Sequence, residues 1–336
     1  MADDVERKPV SRNGHDLPVA PMAVYVFDGK GGMQEVGADQ ALTPAPAKGF
    51  TLVSGNSGEP EFRIWLKAQL GDDQAETMTS PDLRSRCTVT DDRAMVVMRV
   101  LRRRADPEDI RRQAVTMWLE KGRVIVASRA HLPELLGMPQ WAQSHHAPLS
   151  PADFVARLGL RGADRIEPLV EHAGDVLDDI EEEIISGRTP ELSAKLTQIR
   201  RTIINMRRTL WPQRDVLNTL EIEDLSFFTA RDRARLREAA GRTGRLGDEL
   251  QSLSERAGLV HEQILDTRAE QMNRTMLVLA SVTVIAMPMT VISGILGMNV
   301  AGIPFQNNPE AFWAVVIGLA AIGVGTVWFM RSKKWL

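Results

Sequence analysis

The spacing of apolar residues along this chain changes character three times, and each change predicts a different kind of element. The first stretch alternates short apolar runs with turn signals. Met22 to Phe27 is apolar and ends at Asp28-Gly29, which predicts a strand and a turn. Phe62, Trp65, Leu66 and Leu70 recur at helical spacing between Pro60, suited to a first turn, and Gly71, suited to a C-cap. Arg86 to Thr90, Ala94 to Leu101 and Ala114 to Leu119 read as strands, and Lys121-Gly122 joins the last to Val124–Ala127 as a hairpin. Residues 21–165 are therefore expected to form an α/β domain.

From Ser150 the period is helical. Ser150-Pro151-Ala152-Asp153 is a variant capping box with proline at N1. Ile166 to Ile185 repeats apolar residues at 3 and 4 spacing and stops at Ser186-Gly187. Thr189-Pro190 opens another helix to about Leu210, where Trp211-Pro212 is expected to break it. A helical region over 166–230 follows from these signals. No proline then occurs between Arg231 and Pro288, so one helix is expected to run from there into the apolar segment. Leu246, Leu250, Leu253, Ala257, Val260 and Ile264 form an a/d stripe along it, which needs a surface to cover it.

The third change is the loss of charge. Thr275 to Pro309 has no charged side chain, and Glu310 is the only one before Arg331. Thr275–Leu296 and Ala311–Met330 are apolar runs of about 20 residues, each spanning ~30 Å as a helix, the thickness of a bilayer core. Gly297 to Pro304 between them is too short and too rich in Gly and Pro to be another helix. The expected order is a disordered tail 1–20, the α/β domain 21–165, the helical region 166–230, a stalk helix 231–274, a pore-lining membrane helix 275–297, an external loop 298–310, a second membrane helix 311–330 and a basic tail 331–336. The fold class is an α+β cytoplasmic domain, a long stalk helix and a two-helix transmembrane hairpin.

Charge refines this picture. Arg268 and Arg274 precede the first span, Arg331, Lys333 and Lys334 follow the second, and the loop has no Lys or Arg. Both termini are therefore expected in the cytoplasm of a multi-pass inner (plasma) membrane protein. Trp313, Trp328 and Trp335 suit interfacial belts, where membrane lipid is the partner. Met1 to Pro21 is polar and lacks the apolar core of a signal peptide. The net charge of −3 gives no basic face for nucleic acid. Gly29-Lys30-Gly31-Gly32 lacks the spacing and the Ser or Thr of a P-loop, so no nucleotide is expected, and no nucleophile–base pattern suggests an enzyme. The single cysteine, Cys87, excludes an intrachain disulfide framework and a Cys-rich zinc cluster.

A second stripe follows another face of the long helix: Asp248, Glu255, Glu262, Asp266, Ala269, Asn273, Met276, Ala280, Thr283, Met287, Thr290 and Gly294. It is acidic below the apolar segment and collects both mid-span threonines within it. Two readings stay open. It is either a solvated face that continues toward lipid or another helix, or the wall of a lumen in which acids gather cations and polar rings replace part of their hydration. The lumen requires a homo-oligomer, because two spans cannot enclose a pore.

Gly297-Met298-Asn299 after a membrane helix, followed by a second span and a basic C-terminus, resembles the CorA family of divalent-cation transporters. Arg86-Cys87 with Asp91-Asp92-Arg93, Ala105 to Asp109, Leu210 to Asp215 and the ending Arg331 to Leu336 resemble its zinc-transporting ZntB branch. The resemblance implies a funnel-shaped pentamer whose first span lines the pore. Asn299 would ring the outer mouth and hold the hydrated ion, with Thr290, Met287, Thr283 and Met276 deeper in and Asp248, Glu255, Glu262 and Asp266 in an inner vestibule. Neutral oxygens at such a mouth suit an ion that gives up water reluctantly; Asn299 is also a natural helix C-cap. The metal is cargo, Zn2+ first and Mg2+, Co2+ or Ni2+ as alternatives, with no resident cofactor. Ion or proton gradients would drive transport. A membrane-anchored scaffold or sensor is the competing class.

Other metal-ligand candidates have ordinary alternatives. His145-His146 with Asp153 could hold zinc or be a solvated loop. Cys87 reads as a small residue packed in a strand. His261, beside Glu262, could titrate or bind zinc, or be a solvated helix histidine.

Overall fold

The computed structural model describes residues 22–42, 48–81, 83–103, 110–129, 138–186, 192–298 and 310–332. Seven strands form one sheet: β1 (Met22–Phe27), β2 (Met33–Val36), β3 (Phe50–Gly55), β4 (Arg86–Thr90), β5 (Arg93–Arg103), β6 (Ile110–Glu120) and β7 (Arg123–Ser128). Their order is β2-β1-β3-β7-β6-β5-β4. Every pairing is antiparallel except β3 with β7, where Thr51 lies opposite Arg123 and Gly55 opposite Ala127. The β6–β7 hairpin closes on Lys121-Gly122 as expected, with Gly122 at φ 76°, a conformation that costs glycine little.

Strand periodicity sends alternate side chains to two cores. On one face Val24, Val53, Trp118 and Ile125 pack with Phe62, Trp65, Leu66, Ala75 and Met78 from α1 (Pro60–Leu70) and α2 (Asp72–Thr79). Pro60 lies in the first turn of α1, and Gly71 at φ 89° ends it. On the other face Tyr25, Phe27, Phe50, Leu52, Met98 and Met117 belong to the larger core. That core takes in α3 (Met138–Ser144), α4 (Pro151–Ile185), α5 (Leu192–Ile222) and the start of α6 (Ala230–Leu296), through Trp141, Phe154, Leu217 and Leu236 respectively. The division expected at residue 165 falls inside α4, and residues 1–180 with 194–257 make one compact unit. Residues 181–193 and 258–336, which include α7 (Glu310–Ser332), make a second.

The helix starts are built from side-chain caps. Ser150 Oγ accepts the Asp153 N–H at 3.0 Å, which fixes the start of α4, and the Ser150 hydroxyl donates to Asp232. Thr229 caps α6 in the same way. Its Oγ1 accepts the Asp232 N–H at 3.2 Å, while Asp232 accepts the Thr229 N–H at 2.8 Å. One carboxylate therefore ties two helix N-termini together.

The break expected at Trp211-Pro212 does not occur, because α5 runs through Pro212 to Ile222. Proline removes one hydrogen-bond donor, but the turns that follow are held by packing. Gly162 and Gly159 of α4 leave room for Gln213 and Leu217, which would lie 2.9 and 3.0 Å from an added Cβ. Gln213, Val216, Leu217 and Leu220 are all buried. The Leu246–Ile264 stripe is also covered within the chain. Leu246, Leu250, Ala257, Val260 and Ile264 are buried, so the stripe does not call for a second copy.

The approach of Gly55 to Phe62 is tight enough to test the smaller core. An added Cβ would sit 2.2 Å from the ring of a fully buried Phe62. Gly55→Ala should cost about 1–3 kcal/mol through overpacking. The expected outcome is a lower thermal midpoint for the full-length protein in detergent. Gly241→Ala, inside α6 where an added Cβ meets nothing within 4 Å, should leave it unchanged or raise it, the gain in helix propensity being at most about 1 kcal/mol.

Candidate ion pathway

Two helices of the described chain are long and apolar enough to cross a bilayer, the C-terminal part of α6 and α7, and only 6% of each apolar window is buried. Such exposure suits helices whose remaining surface meets lipid or further copies. α6 is continuous as far as Leu296, with Pro288 inside it. In this apolar segment it turns one face inward. Ser281 is 4% exposed, and Ile285, Pro288, Met289 and Ile292 are half-buried. Met289 Cε lies 2.4 Å from the position of a Cβ on Gly323, so α7 meets this face at a glycine that admits the methionine.

The polar stripe lies on the other side. At about 100° per residue, Thr283, Met287 and Thr290 sit roughly opposite the Ser281–Ile292 face. Met276 and Met287 are 52% and 66% exposed, and Ala269, Asn273, Ala280, Thr283, Thr290 and Gly294 are exposed too. Each threonine hydroxyl donates its proton along its own helix: Thr283 to the Leu279 carbonyl at 3.0 Å and Thr290 to the Ala286 carbonyl at 2.9 Å. With the proton committed, the outward side of each oxygen offers lone pairs only, which suits a cation.

Before the apolar segment, Asp248, Glu255, Glu262 and Asp266 are exposed, and none has an ion-pair partner among the described residues. Glu255 accepts a hydrogen bond from Gln251 Nε2, one turn earlier. Two cations of this helix are handled differently. Arg242 pairs with Asp164 and Glu167, both at 2.7 Å, and Arg256 pairs with Asp178 at 2.5 Å. Those two arginines are therefore turned to α4 rather than to the carboxylates of the stripe.

At the end of α6, Gly297 donates its N–H to the Ser293 carbonyl at 2.9 Å and Met298 is exposed. Gly297 is not in the left-handed region. The limit on a side chain there is an approach of 3.2 Å to the Ser293 carbonyl rather than a need for glycine's backbone freedom. Asn299 lies outside the described residues. Glu310 begins α7.

A profile of the CorA-like Mg2+ transporter protein family matches residues 48–333. The chain belongs to the CorA family. It is a divalent-cation transporter rather than an enzyme. This CorA-family chain is 29% identical over 323 residues to the divalent cation transporter CmaX of Pseudomonas aeruginosa, a match covering 93% of this chain and 96% of that one. It is 24% identical to the zinc transport protein ZntB of Pectobacterium carotovorum, covering 93% and 95%. The structure of full-length CmaX aligns with a TM-score of 0.77 at 26% identity, over 94% of this chain and 99% of that one.

The other sequence candidates are held in local structure. Asp153 is buried, accepts the Leu149 N–H at 3.0 Å and pairs with Arg157 at 3.2 Å. His146 Nδ1 is 2.6 Å from the Ser144 carbonyl, and both His145 and His146 are exposed. His261 is half-buried. Among the described residues no group of three His, Cys, Asp or Glu side chains is placed to hold a metal. In the glycine-rich loop after β1, the N–H groups of Lys30 and Gly32 are donated to Asp28 Oδ1 at 2.7 and 2.8 Å, and these bonds hold the Asp28 carboxyl below its ordinary range. Those two amides are therefore committed to the loop itself. Sequence reasoning missed the face of α6 that meets α7. Ser281, Ile285, Met289 and Ile292 at 4-4-3 spacing, with Gly323 on the second span, were the available signal.

Cys87 packs against the larger core. Burial, and secondarily the charge of Glu223, push its thiol up to about 12. The group therefore stays protonated at neutral pH and is a poor nucleophile and metal ligand. The folded protein at pH 8 should label with a maleimide or an aromatic disulfide at least ~10-fold more slowly than the same protein in denaturant.

Proposed function

We propose that several copies of this chain surround an axis with the Thr283–Thr290 face of α6 turned inward, and that Zn2+ passes along that face. The observation that carries the reading is the pair of opposed faces on one membrane helix. Met289 meets Gly323 of α7 on the face where Ser281 is buried, while two threonines with committed protons lie opposite, on an exposed surface. Placing those hydroxyls in lipid would gain nothing, whereas around a lumen they form rings of neutral oxygen acceptors. Five copies is the number the CorA resemblance implies. Gly297, Met298 and Asn299 form the outer mouth in this reading, and Asn299 holds the ion through its hydration shell. Asp248, Glu255, Glu262 and Asp266 supply the inner vestibule, and His261 beside them is a further zinc contact.

Zinc is the leading cargo because of the likeness to ZntB, and the same threonine and amide oxygens suit other hydrated divalent ions. The family's own description names Mg2+, so magnesium is the second reading. The spans cross the inner membrane with both termini in the cytoplasm, following the lysines and arginines that flank them.

Purified protein in vesicles tests the reading directly. Zinc flux should exceed that of empty vesicles, and the detergent-solubilised protein should run at the native mass of a pentamer; a stable monomer, or no flux from inserted oligomer, rejects the pore. Asn299→Ala should abolish most transport while the native mass is unchanged.

The vestibule has its own measurement. Glu255→Gln with Glu262→Gln should lower zinc flux several-fold, on the order of one Debye-screened charge pair per copy, and weaken its dependence on salt. Asp248→Asn should act in the same direction but less. Unchanged flux and salt dependence at equal protein would show these acids to be an ordinary solvated surface.

A further inference from the structure

The first compact unit contains a cavity of about 630 Å³ that the ion pathway does not use. Four arginines line it: Arg84 before β4, Arg99 on β5, and Arg207 and Arg208 on α5. Guanidinium groups stay charged at all physiological pH values. Among the described residues no carboxylate lines the cavity, and Arg84, Arg207 and Arg208 have no ion-pair partner. Elsewhere in this unit arginines do find acids, as Arg242 does with Asp164 and Glu167 and Arg256 with Asp178. Arg84, Arg207 and Arg208, three like charges around one concavity, raise its potential and call for an anion.

The wall is also shaped for a ligand. Arg99 is held from behind: its Nε donates to the Leu83 carbonyl at 2.7 Å, and its backbone N–H donates to Ser85 Oγ at 3.1 Å. That second bond uses a lone pair of Ser85, whose hydroxyl proton remains to donate. Ile204, Arg207, Arg208 and Trp211 follow one face of α5 at helical spacing, so arginines and an apolar strip alternate along one wall. Ile204 is 40% exposed, and the Trp211 ring is fixed beneath Arg214, whose Cζ lies 4.7 Å from its centroid. A volume of this size fits a ligand as large as a nucleotide.

We propose that this cavity binds a diphosphate-bearing anion. Adjacent phosphates bridge Arg207 and Arg208 on α5 to Arg84 and Arg99 on the sheet side. Guanidinium forks match phosphate oxygens in pairs, and a diphosphate has enough oxygens to engage several forks at once, which a chloride or a single carboxylate lacks. An organic group attached to the diphosphate rests on Ile204, Trp211 and Pro212. The site is independent of the transport reading, because none of its residues lies on the polar stripe of α6.

Calorimetric titration of the full-length protein in detergent, in EDTA and physiological salt, decides it. Pyrophosphate and ADP are the two probes. One saturable site per chain is expected, with Arg207→Gln plus Arg208→Gln weakening binding at least ~10-fold. Arg231→Gln plus Arg245→Gln, which removes the same charge from exposed positions elsewhere on α6, should leave it within about 2-fold. Tighter binding of ADP identifies a nucleotide as the source of the diphosphate, and equal binding identifies an inorganic one. Absence of saturable binding by either probe, or equal weakening by both double variants, overturns the proposal. Should the Arg207/Arg208 variant alter the native mass or the circular dichroism, Arg84→Gln on the opposite wall must still weaken binding by ~3-fold or more.

Discussion

The packing of Met289 against the second membrane helix at Gly323 is the contact on which the functional reading depends. A membrane helix has no hydrophobic drive to choose one apolar neighbour over lipid, so close approach at small residues decides which face meets which. Here a glycine on α7 permits the close approach. The Ser281 hydroxyl donates to the Leu277 carbonyl at 2.7 Å, and the absent side chain of Gly323 leaves space for the Met289 methyl. Once that face is taken, the threonines on the other side are left without a partner from the same chain.

The electrostatics of α6 follow a related division of faces. Arg242 and Arg256 reach back to acids on α4, while Asp248 and Glu255 stand on the exposed stripe without ion-pair partners among the described residues. Exposed pairs of this kind contribute about 0–1 kcal/mol each, so stability alone does not explain the arrangement. Its consequence is an uneven field. Arg242 and Arg256 are occupied by acids of α4, and the stripe carboxylates are left exposed to mobile ions. Cyclic symmetry would turn each such residue into a ring, and like-charge repulsion within a ring is relieved only by cations or protons.

Much of this was legible in the sequence because the signals were local. Proline and glycine bracketed α1, Lys121-Gly122 marked its hairpin, Ser150 and Asp153 marked a helix start, and the loss of charge after Arg274 marked the spans. What escaped the sequence depended on distant contacts. β2 is half-polar and β3 ends in Ser54-Gly55, and both become strands through pairing with β1, β3 also with β7. Pro212 carries a strong local signal for a break, yet α4 offers glycines opposite Gln213 and Leu217, and burial outweighs the missing donor. The Leu246–Ile264 stripe was read correctly as a buried face, but heptad spacing does not say whether the covering surface belongs to the same chain. The stripe of Asp248 to Gly294 was visible from spacing alone, while the face that defines its opposite, at Ser281 and Gly323, required the partner helix to be seen.

Two basic features of this chain illustrate how context separates sites from surfaces. Gly29-Lys30-Gly31-Gly32 looks like a cradle for an anion, but Asp28 already occupies the Lys30 and Gly32 amides, so the loop satisfies itself. Arg207-Arg208 looks like an unremarkable doublet on a solvated helix, yet the fold sets Arg84 and Arg99 across from it and brings no described carboxylate into the space between. The same reasoning governs the membrane helix. A threonine whose proton is spent on its own backbone presents only acceptor character outward, so the local hydrogen bond that dulls a hydroxyl in a soluble helix would suit it to a cation in the proposed lumen. In each case the decisive quantity is what a group has left to offer after its nearest neighbours are satisfied.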